Sequence, residues 1–321
     1  MNKAKIQLLI NSILIIVITA TGWTFYRTNY LIKKPISIGS SYMTMNNEFY
    51  PILHEQVANY VDEHNDFLYN RDPALNVNKQ IEEIHSFERK GVNAILLNPV
   101  DGNCKKLNQA ISAAHKKGIK IVIVDSQVKT KQVDCTITSA NYHAGVLCAR
   151  ELMQNKKHAR ILLLEHRTAI SAVERINGFV DTIKRANNKN YQIVGHLQTY
   201  GQSEISYPKT RQFIKSGPRF DTIMSLNDRA GIGALAAINA NHLDDLISVY
   251  SIDGSEDMKK MISQNSSAVA TVAQSPIKMG QKAIRITYQL IAGKKIPKRI
   301  YLPIKIIDRK NINQYNVTGW Q

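Results

Sequence analysis

The chain has 321 residues, about two domains' worth at roughly 150 residues each. With 44% hydrophobic and 21% charged residues it falls in the ordinary globular range, which excludes a wholly disordered, collagen-like or multiply membrane-spanning protein. Lys and Arg outnumber Asp and Glu by 42 to 25, a net charge of +17, so the basic residues must be located before a nucleic-acid or anionic-surface partner is inferred.

The amino-terminal segment comes first. Lys3 and Lys5 precede an uncharged run from Ile6 to Phe25, in which Gln7 and Asn11 are the strongly polar residues. At 1.5 Å per residue this run spans about 30 Å, the hydrocarbon thickness of a bilayer. Trp23 and Tyr26 sit where an interfacial aromatic belt lies, and Arg27, Lys33 and Lys34 follow. The segment 1–35 reads as an uncleaved transmembrane anchor. The alternative is a secretory signal, with an apolar stretch from Leu8 to Ile18 and small residues at Ala20 and Gly22 for cleavage. Either reading carries the rest of the chain to the extracytoplasmic side, anchored in one case and periplasmic or secreted in the other. Basic residues flank both ends, so the positive-inside rule does not decide orientation. No Cys directly follows the run, so a lipid-anchored amino terminus is not available.

From Ile36 the pattern alternates. Short apolar runs read as buried parallel strands at Ile36–Ile38, Ala94–Leu97, Ile119–Val124, Arg160–Leu164, Thr222–Leu226, Ser248–Ile252 and Val269–Val272. Amphipathic stretches between them predict helices over Glu48–Glu63, Asn78–Lys90, Lys105–Lys117, Ala144–Gln154, Ala172–Ala186, Asp228–Ala240 and Ile277–Ala292. Lys90-Gly91 and Lys117-Gly118 are helix-terminating pairs. Strand–helix–strand alternation predicts right-handed crossovers and an α/β fold of parallel sheets covered on both faces. Two sheets suit this length better than one, with a break near Ser139–Asn141, after the strand-like Thr136–Thr138. No internal repeat is visible. The basic residues are scattered pairs at helix ends, such as Lys116/Lys117 and Lys294/Lys295, with no basic–aromatic stripe, so no nucleic-acid partner is expected. Cys104, Cys135 and Cys148 have no metal-like spacing and read as small thiols, and no metal or cofactor is expected.

Ligands of open α/β sheets bind beyond the carboxyl ends of the strands. The residues there are Asp125, Asn227, Asp253 and Gln274; Arg175 falls in the first turn of the helix after Arg160–Leu164, and Asn47 precedes the first soluble helix. Carboxylates accept two hydrogen bonds, Arg donates a fork, and carboxamides do one of each, a set suited to a ring of hydroxyls. The rings of Phe49, Tyr50 and Tyr200 suit a sugar's apolar C–H faces. Taken singly, Asn227-Asp228 and Asp253-Gly254 are ordinary cap and turn chemistry.

On these residues the sequence resembles the type I periplasmic sugar-binding proteins, nearest the ribose-binding branch, from about Ile36 to Asp308. Met45-Asn46-Asn47-Glu48-Phe49-Tyr50 is similar to the family's first sugar-contacting loop. Ile95–Asp101 and Ile121–Gln127 resemble its next two strand ends, the latter placing the binding Asp at Asp125. Ala172–Arg175 followed by Gly178-Phe179 resembles the segment carrying its binding Arg. Ser225–Asp228, Ser251–Gly254 and Ala270–Gln274 place its Asn, Asp and Gln at Asn227, Asp253 and Gln274. Ser126 stands where ribose binders often carry Arg, which removes a bidentate donor. The resemblance implies two doubly wound lobes joined by a three-crossover hinge: 36–139 plus 275–303, and 140–274 plus 304–321. A monosaccharide, pentose or hexose, then sits between Asn47, Phe49, Tyr50, Asp125 and Ser126 of one lobe and Arg175, Tyr200, Asn227 and Asp253 of the other, with Gln274 at a crossover. Closure on the sugar presents a shape to a membrane partner, an ABC transporter permease or a sensor histidine kinase.

Two other readings compete. An enzyme would need a catalytic motif; there is no HExxH, GxSxG or phosphate loop, Gly231-Ile232-Gly233 lies within a predicted helix, and Glu165-His166 is the one adjacent acid–base pair at a strand end. A cytosolic regulator related to lac repressor would carry a helix-turn-helix where the apolar run stands. Neither an enzyme nor a regulator is expected.

Overall fold

The computed structural model describes residues 3–27 and 34–320; Lys33, counted among the flanking basic residues, lies outside them. Helix α1 (Lys3–Tyr26) is apolar on every face and buries none of them. Its few hydroxyls turn back onto its own backbone: Ser12 donates to the Leu8 carbonyl at 2.9 Å and Thr21 to that of Val17 at 2.6 Å. That self-satisfaction suits a medium without water. The helix is long and apolar enough to cross a membrane, and a signal sequence has the same build.

The second unit begins at Ser37. Its elements are β1 (Ser37–Ser41), α2 (Phe49–Glu63), β2 (Phe67–Arg71), α3 (Val77–Lys90), β3 (Ala94–Leu97), α4 (Lys105–Lys116), β4 (Lys120–Val124), β5 (Cys135–Ser139), α5 (Asn141–Asn155), β6 (Ala159–Glu165), α6 (Ile170–Arg185), β7 (Tyr191–Gln198), α7 (Ser203–Ser216), β8 (Thr222–Ser225), α8 (Asp228–Asn239), β9 (Ser248–Asp253), α9 (Glu256–Gln264), β10 (Ala268–Ala273), α10 (Pro276–Ile291), β11 (Arg299–Leu302) and β12 (Lys305–Asp308). They form two six-stranded sheets, ordered β11-β5-β4-β3-β1-β2 and β12-β10-β9-β8-β6-β7. Every pairing is parallel except β10 with β12. The two sheets share one strand order, a correspondence of structure that no sequence repeat announces. The chain passes between them after β5, after β10 and between β11 and β12. This is the two-lobed, doubly wound α/β architecture expected.

Each lobe has its own apolar core. Ile84, Phe87, Leu107 and Ile123 represent the first, and Leu164, Leu235, Met258 and Ile307 the second. The helix ends follow their signals. Asn76 caps α3 by accepting the Asn78 and Lys79 amides, and Gly91 ends it in the left-handed region at φ 66°. The three cysteines are free, and burial pushes the Cys135 thiol up to about 11.

Several elements lie outside the predicted runs. β1 extends to Ser41 because Gly39-Ser40-Ser41, although not apolar, pairs with β2 on one side and β3 on the other. Edge strands β2 and β7 are half-exposed and lack a buried apolar run. α7 contains Pro208 and buries just Ser206 and Thr210, so no apolar stripe marks it. Arg175 lies one turn deeper in its helix than expected, since α6 starts at Ile170.

The closest packing joins α5 to α6, the helix that carries Arg175. A Cβ added at Gly145 would lie 1.9 Å from the Arg175 carbonyl oxygen, and one at Gly178 1.9 Å from that of Tyr142. Backbone cannot yield as a flexible side chain can. Gly145→Ala and Gly178→Ala should each cost about 1–3 kcal/mol in denaturant unfolding, with ligand affinity falling as α6 shifts; an unchanged midpoint in both would show that the helices separate freely.

Candidate functional site

The carboxyl ends of the two sheets face one cleft of about 430 Å³, part of it open to solvent. β4 delivers Asp125, β8 leads to Asn227, Asp253 closes β9, and Gln274 follows β10. Three non-glycine residues of the cleft hold positive φ: Asp125 at 64°, Tyr200 at 54° and Asp253 at 149°. Such conformations cost about 1–3 kcal/mol each and persist where surrounding bonds impose them. For Asp125 those bonds are visible. Its amide donates to the Ile137 carbonyl at 2.8 Å, and its carbonyl accepts the Thr138 hydroxyl at 2.6 Å.

Arg175 is the centre of the site, and it is buried. Nε donates to Asn141 Oδ1 at 2.8 Å, and Nη1 donates to the Leu226 carbonyl at 3.1 Å and to Asp253 Oδ1 at 3.3 Å. Nη2 lies 3.7 Å from Asp125 Oδ1, an ion pair that crosses from one lobe to the other. Asp253 Oδ1 also accepts from Gln274 Nε2 at 2.7 Å, and Gln274 Oε1 accepts the Ser139 hydroxyl at 2.8 Å. Asp125 Oδ2 accepts from the Tyr50 hydroxyl at 3.1 Å and from Asn98 Nδ2 at 3.2 Å. Its Oδ1 accepts no hydrogen bond among the described residues.

One guanidinium thus faces two carboxylates in a water-poor pocket. Burial raises the pKa of Asp125 against the pull of Arg175. Burial, outweighing Arg175 and helped by the nearby Asp228 and Asp125 charges, pushes Asp253 up to about 8. Asp228 itself is occupied elsewhere, accepting from Ser251, Thr271 and the Ser255 amide. His166 also lines the cleft, and burial lowers its pKa to about 4, so at neutral pH its ring is uncharged, with one donor and one acceptor. The neighbouring Glu165 pairs with His196 and Arg167 rather than with His166.

Nine of the ten sequence-predicted residues line this cleft: Asn47, Phe49, Tyr50, Asp125, Arg175, Tyr200, Asn227, Asp253 and Gln274. Ser126 does not. It is fully buried, and its Oγ accepts the Ser171 amide of the other lobe at 3.3 Å. Asn227 is largely spent on structure, capping α8 through the Ala230 amide and donating to the Gly201 carbonyl. Asn47 spends its oxygen on the Phe49 amide. Sequence reasoning missed Asn98 and Asn141, which orient Asp125 and Arg175, and missed His166, Ser171 and Gln202 in the lining. Asn141 opens a helix and Asn98 follows a strand, so strand-end position was the signal for Asn98.

Other bonds hold the lobes together at the rim. Asn46 Nδ2 donates to Glu204 Oε1 at 2.7 Å, Arg229 donates to Asn46 Oδ1 at 3.3 Å, and Gln127 Nε2 donates to Glu174 Oε1 at 2.7 Å. The lobes are closed on each other.

The profile of the periplasmic binding protein domain matches residues 38–295. The ribose import binding protein RbsB of Bacillus subtilis is 27% identical over 286 residues, 87% of this chain and 89% of that one. A putative rhizopine-binding protein of Rhizobium meliloti is 23% identical, over 87% of this chain and 92% of its own. An ABC transporter solute-binding protein from Mycobacterium smegmatis with bound glycerol has the same fold, with a TM-score of 0.83 at 21% identity over 90% of this chain and all of that one. Another, from Actinobacillus succinogenes with bound D-allose, gives 0.78 at 21% identity over 88% of this chain. With its profile covering most of both lobes, the chain belongs to the periplasmic binding protein family, near the ribose-binding branch.

Proposed function

We propose that the chain is an extracytoplasmic receptor, not an enzyme, that closes on a monosaccharide between its two lobes and presents the closed form to a membrane partner. The observation that carries this is Asp125 Oδ1: a buried carboxylate oxygen lining the cleft, short of a donor among the described residues, beside a guanidinium at 3.7 Å. A leftover buried acceptor costs free energy, and a ligand hydroxyl removes that cost. Phe49, Tyr50 and Tyr200 supply ring surface, and Asp253 a second acceptor. Hinge closure converts the ligand's contacts with both lobes into a population shift toward the closed form.

The partner is a sugar ABC permease, a reading supported by relatives named as import binding proteins. A sensor histidine kinase is the second reading, favoured by α1, which as a retained anchor keeps the receptor beside one membrane protein. The lobes then work at the outer face of the cell membrane. Cell fractionation checks the anchor: the full chain should stay with membranes after high-salt washing, and a mature chain beginning near Trp23 in the medium would refute it.

A thermal-shift screen over D-ribose, D-allose and other pentoses and hexoses, with the cyclitol myo-inositol beside them, checks the ligand class. A true ligand at 100 times its Kd should add about 2.7 kcal/mol of stability and be recovered chemically unchanged. No shift with any of them would sink the monosaccharide reading.

Asp253→Asn separates binding from stability. Sugar affinity should fall about 10- to 100-fold, as loss of a buried hydrogen-bonding carboxyl oxygen implies. Ligand-free stability moves the other way. In the wild type the unfolded carboxyl ionises near its ordinary value of 3.8, while the folded one keeps its proton up to about 8. Between these values the unfolded state holds fewer protons, so wild-type stability falls as pH rises, by at most about 1.4 kcal/mol per unit. The variant lacks this loss. Its melting temperature should overtake the wild type's across that window and hold a constant lead above it; parallel pH profiles would show that Asp253 is ionised throughout.

A further inference from the structure

The segment after β12 is used by neither sheet, yet it is pinned at several points. Tyr315 and Val317 pack on the second lobe's core. Lys259, on α9, is fully buried, and its Nζ donates to the Asn316 carbonyl at 2.5 Å and the Gly319 carbonyl at 2.6 Å. The Gly319 amide donates to Glu256 Oε2 at 2.6 Å, and Gly319 takes a left-handed φ of 82° that turns the chain. The residue so delivered is Trp320. Its ring meets Phe49 edge to face at 5.6 Å between centroids, and Phe49 belongs to the opposite lobe and lines the cleft.

We infer that segment 309–320 is a latch: held on the second lobe by Lys259 and Glu256, it places Trp320 against Phe49 of the first lobe, positions that ring for the ligand and slows reopening of the closed cleft. An aromatic pair of this geometry contributes beyond its buried area. It forms between the lobes, so separating them breaks it. A contact absent from the open state stabilises the closed state by its full differential strength and acts on release more than on capture. Trp320 stands behind Phe49 and is not among the residues lining the cleft; it is a positioning residue. The inference rests on the proposed binding reading for its effect on ligand release, and on the structure alone for its effect on the ligand-free protein.

Trp23 and Trp320 are the two tryptophans of the chain, so Trp23→Phe leaves Trp320 as the reporter. The test uses the full chain in detergent micelles on that background. Without ligand, acrylamide quenching of Trp320 should rise about threefold in Lys259→Met as the tail comes free. Glu256→Ala, a change at a half-buried residue of the same anchor, should act in the same direction and serves if Lys259→Met fails to fold. With whichever sugar of the screen shifts the melt, release followed by rapid-filtration chase of radiolabelled sugar should be about tenfold faster in Trp320→Ala and in both anchor variants. The association rate should change less than twofold, and Trp320→Phe should recover most of the slow release. Unchanged quenching in both anchor variants, or release rates equal to wild type in Trp320→Ala, would overturn the latch. If no pentose or hexose of the screen binds, the monosaccharide reading fails and the quenching arm alone decides the latch.

Discussion

A single buried guanidinium between two carboxylates organises this molecule. Arg175 ties α6 to α5 through Asn141, to the end of β8 through the Leu226 carbonyl, to β9 through Asp253 and to the other lobe through Asp125. Burial keeps the proton on Asp253 up to about pH 8. Taking a guanidinium and two carboxyl groups out of water costs more than their attraction returns unless every lone pair is used. Here one oxygen of Asp125 is not, and the two carboxyls share one cation. The rest of each lobe, with its separate apolar core, carries that cost. The cleft is therefore a place where the fold is locally less stable than it could be, and a polyol fitting it would be held partly by relieving that condition.

The resting geometry shows how little of the site is idle. Gln274 bridges Ser139 and Asp253, at the point where the chain passes between lobes. Tyr50 and Asn98 fix the orientation of Asp125. His166, neutral by burial, stands against Tyr200 with centroids 5.4 Å apart, so the second lobe's ring is steadied by a polar neighbour. Ser126, with a small hydroxyl where a long basic side chain would reach inward, closes the seam between lobes instead.

Much of this was legible in the sequence because a parallel strand ends where its apolar run ends. Asp125 after Ile119–Val124 and Asp253 after Ser248–Ile252 could be assigned to one edge before any coordinates. Edge strands such as β2 and β7 were not legible, since one face is wet and the period-two signal is short. α7 was hidden by Pro208 and by polar buried residues that leave no stripe. Asn141 was illegible for another reason: its task is to accept from a side chain 34 positions away, and nothing local distinguishes it from a helix-opening Asn. Trp320 likewise gains its meaning from Phe49, at the far end of the chain.

The order in which the lobes are completed has a consequence for biogenesis. The first sheet gains its last strand, β11, and a covering helix, α10, after the whole second sheet except β12 has been made. α10 packs on α2, and β11 pairs with β5, so the first lobe's outer layer is closed by residues more than 130 positions downstream of β5. A chain threaded amino end first through a translocation pore cannot finish its first lobe until residues 276–302 have emerged. Topology alone thus separates the two halves of the first lobe by nearly the whole length of the second.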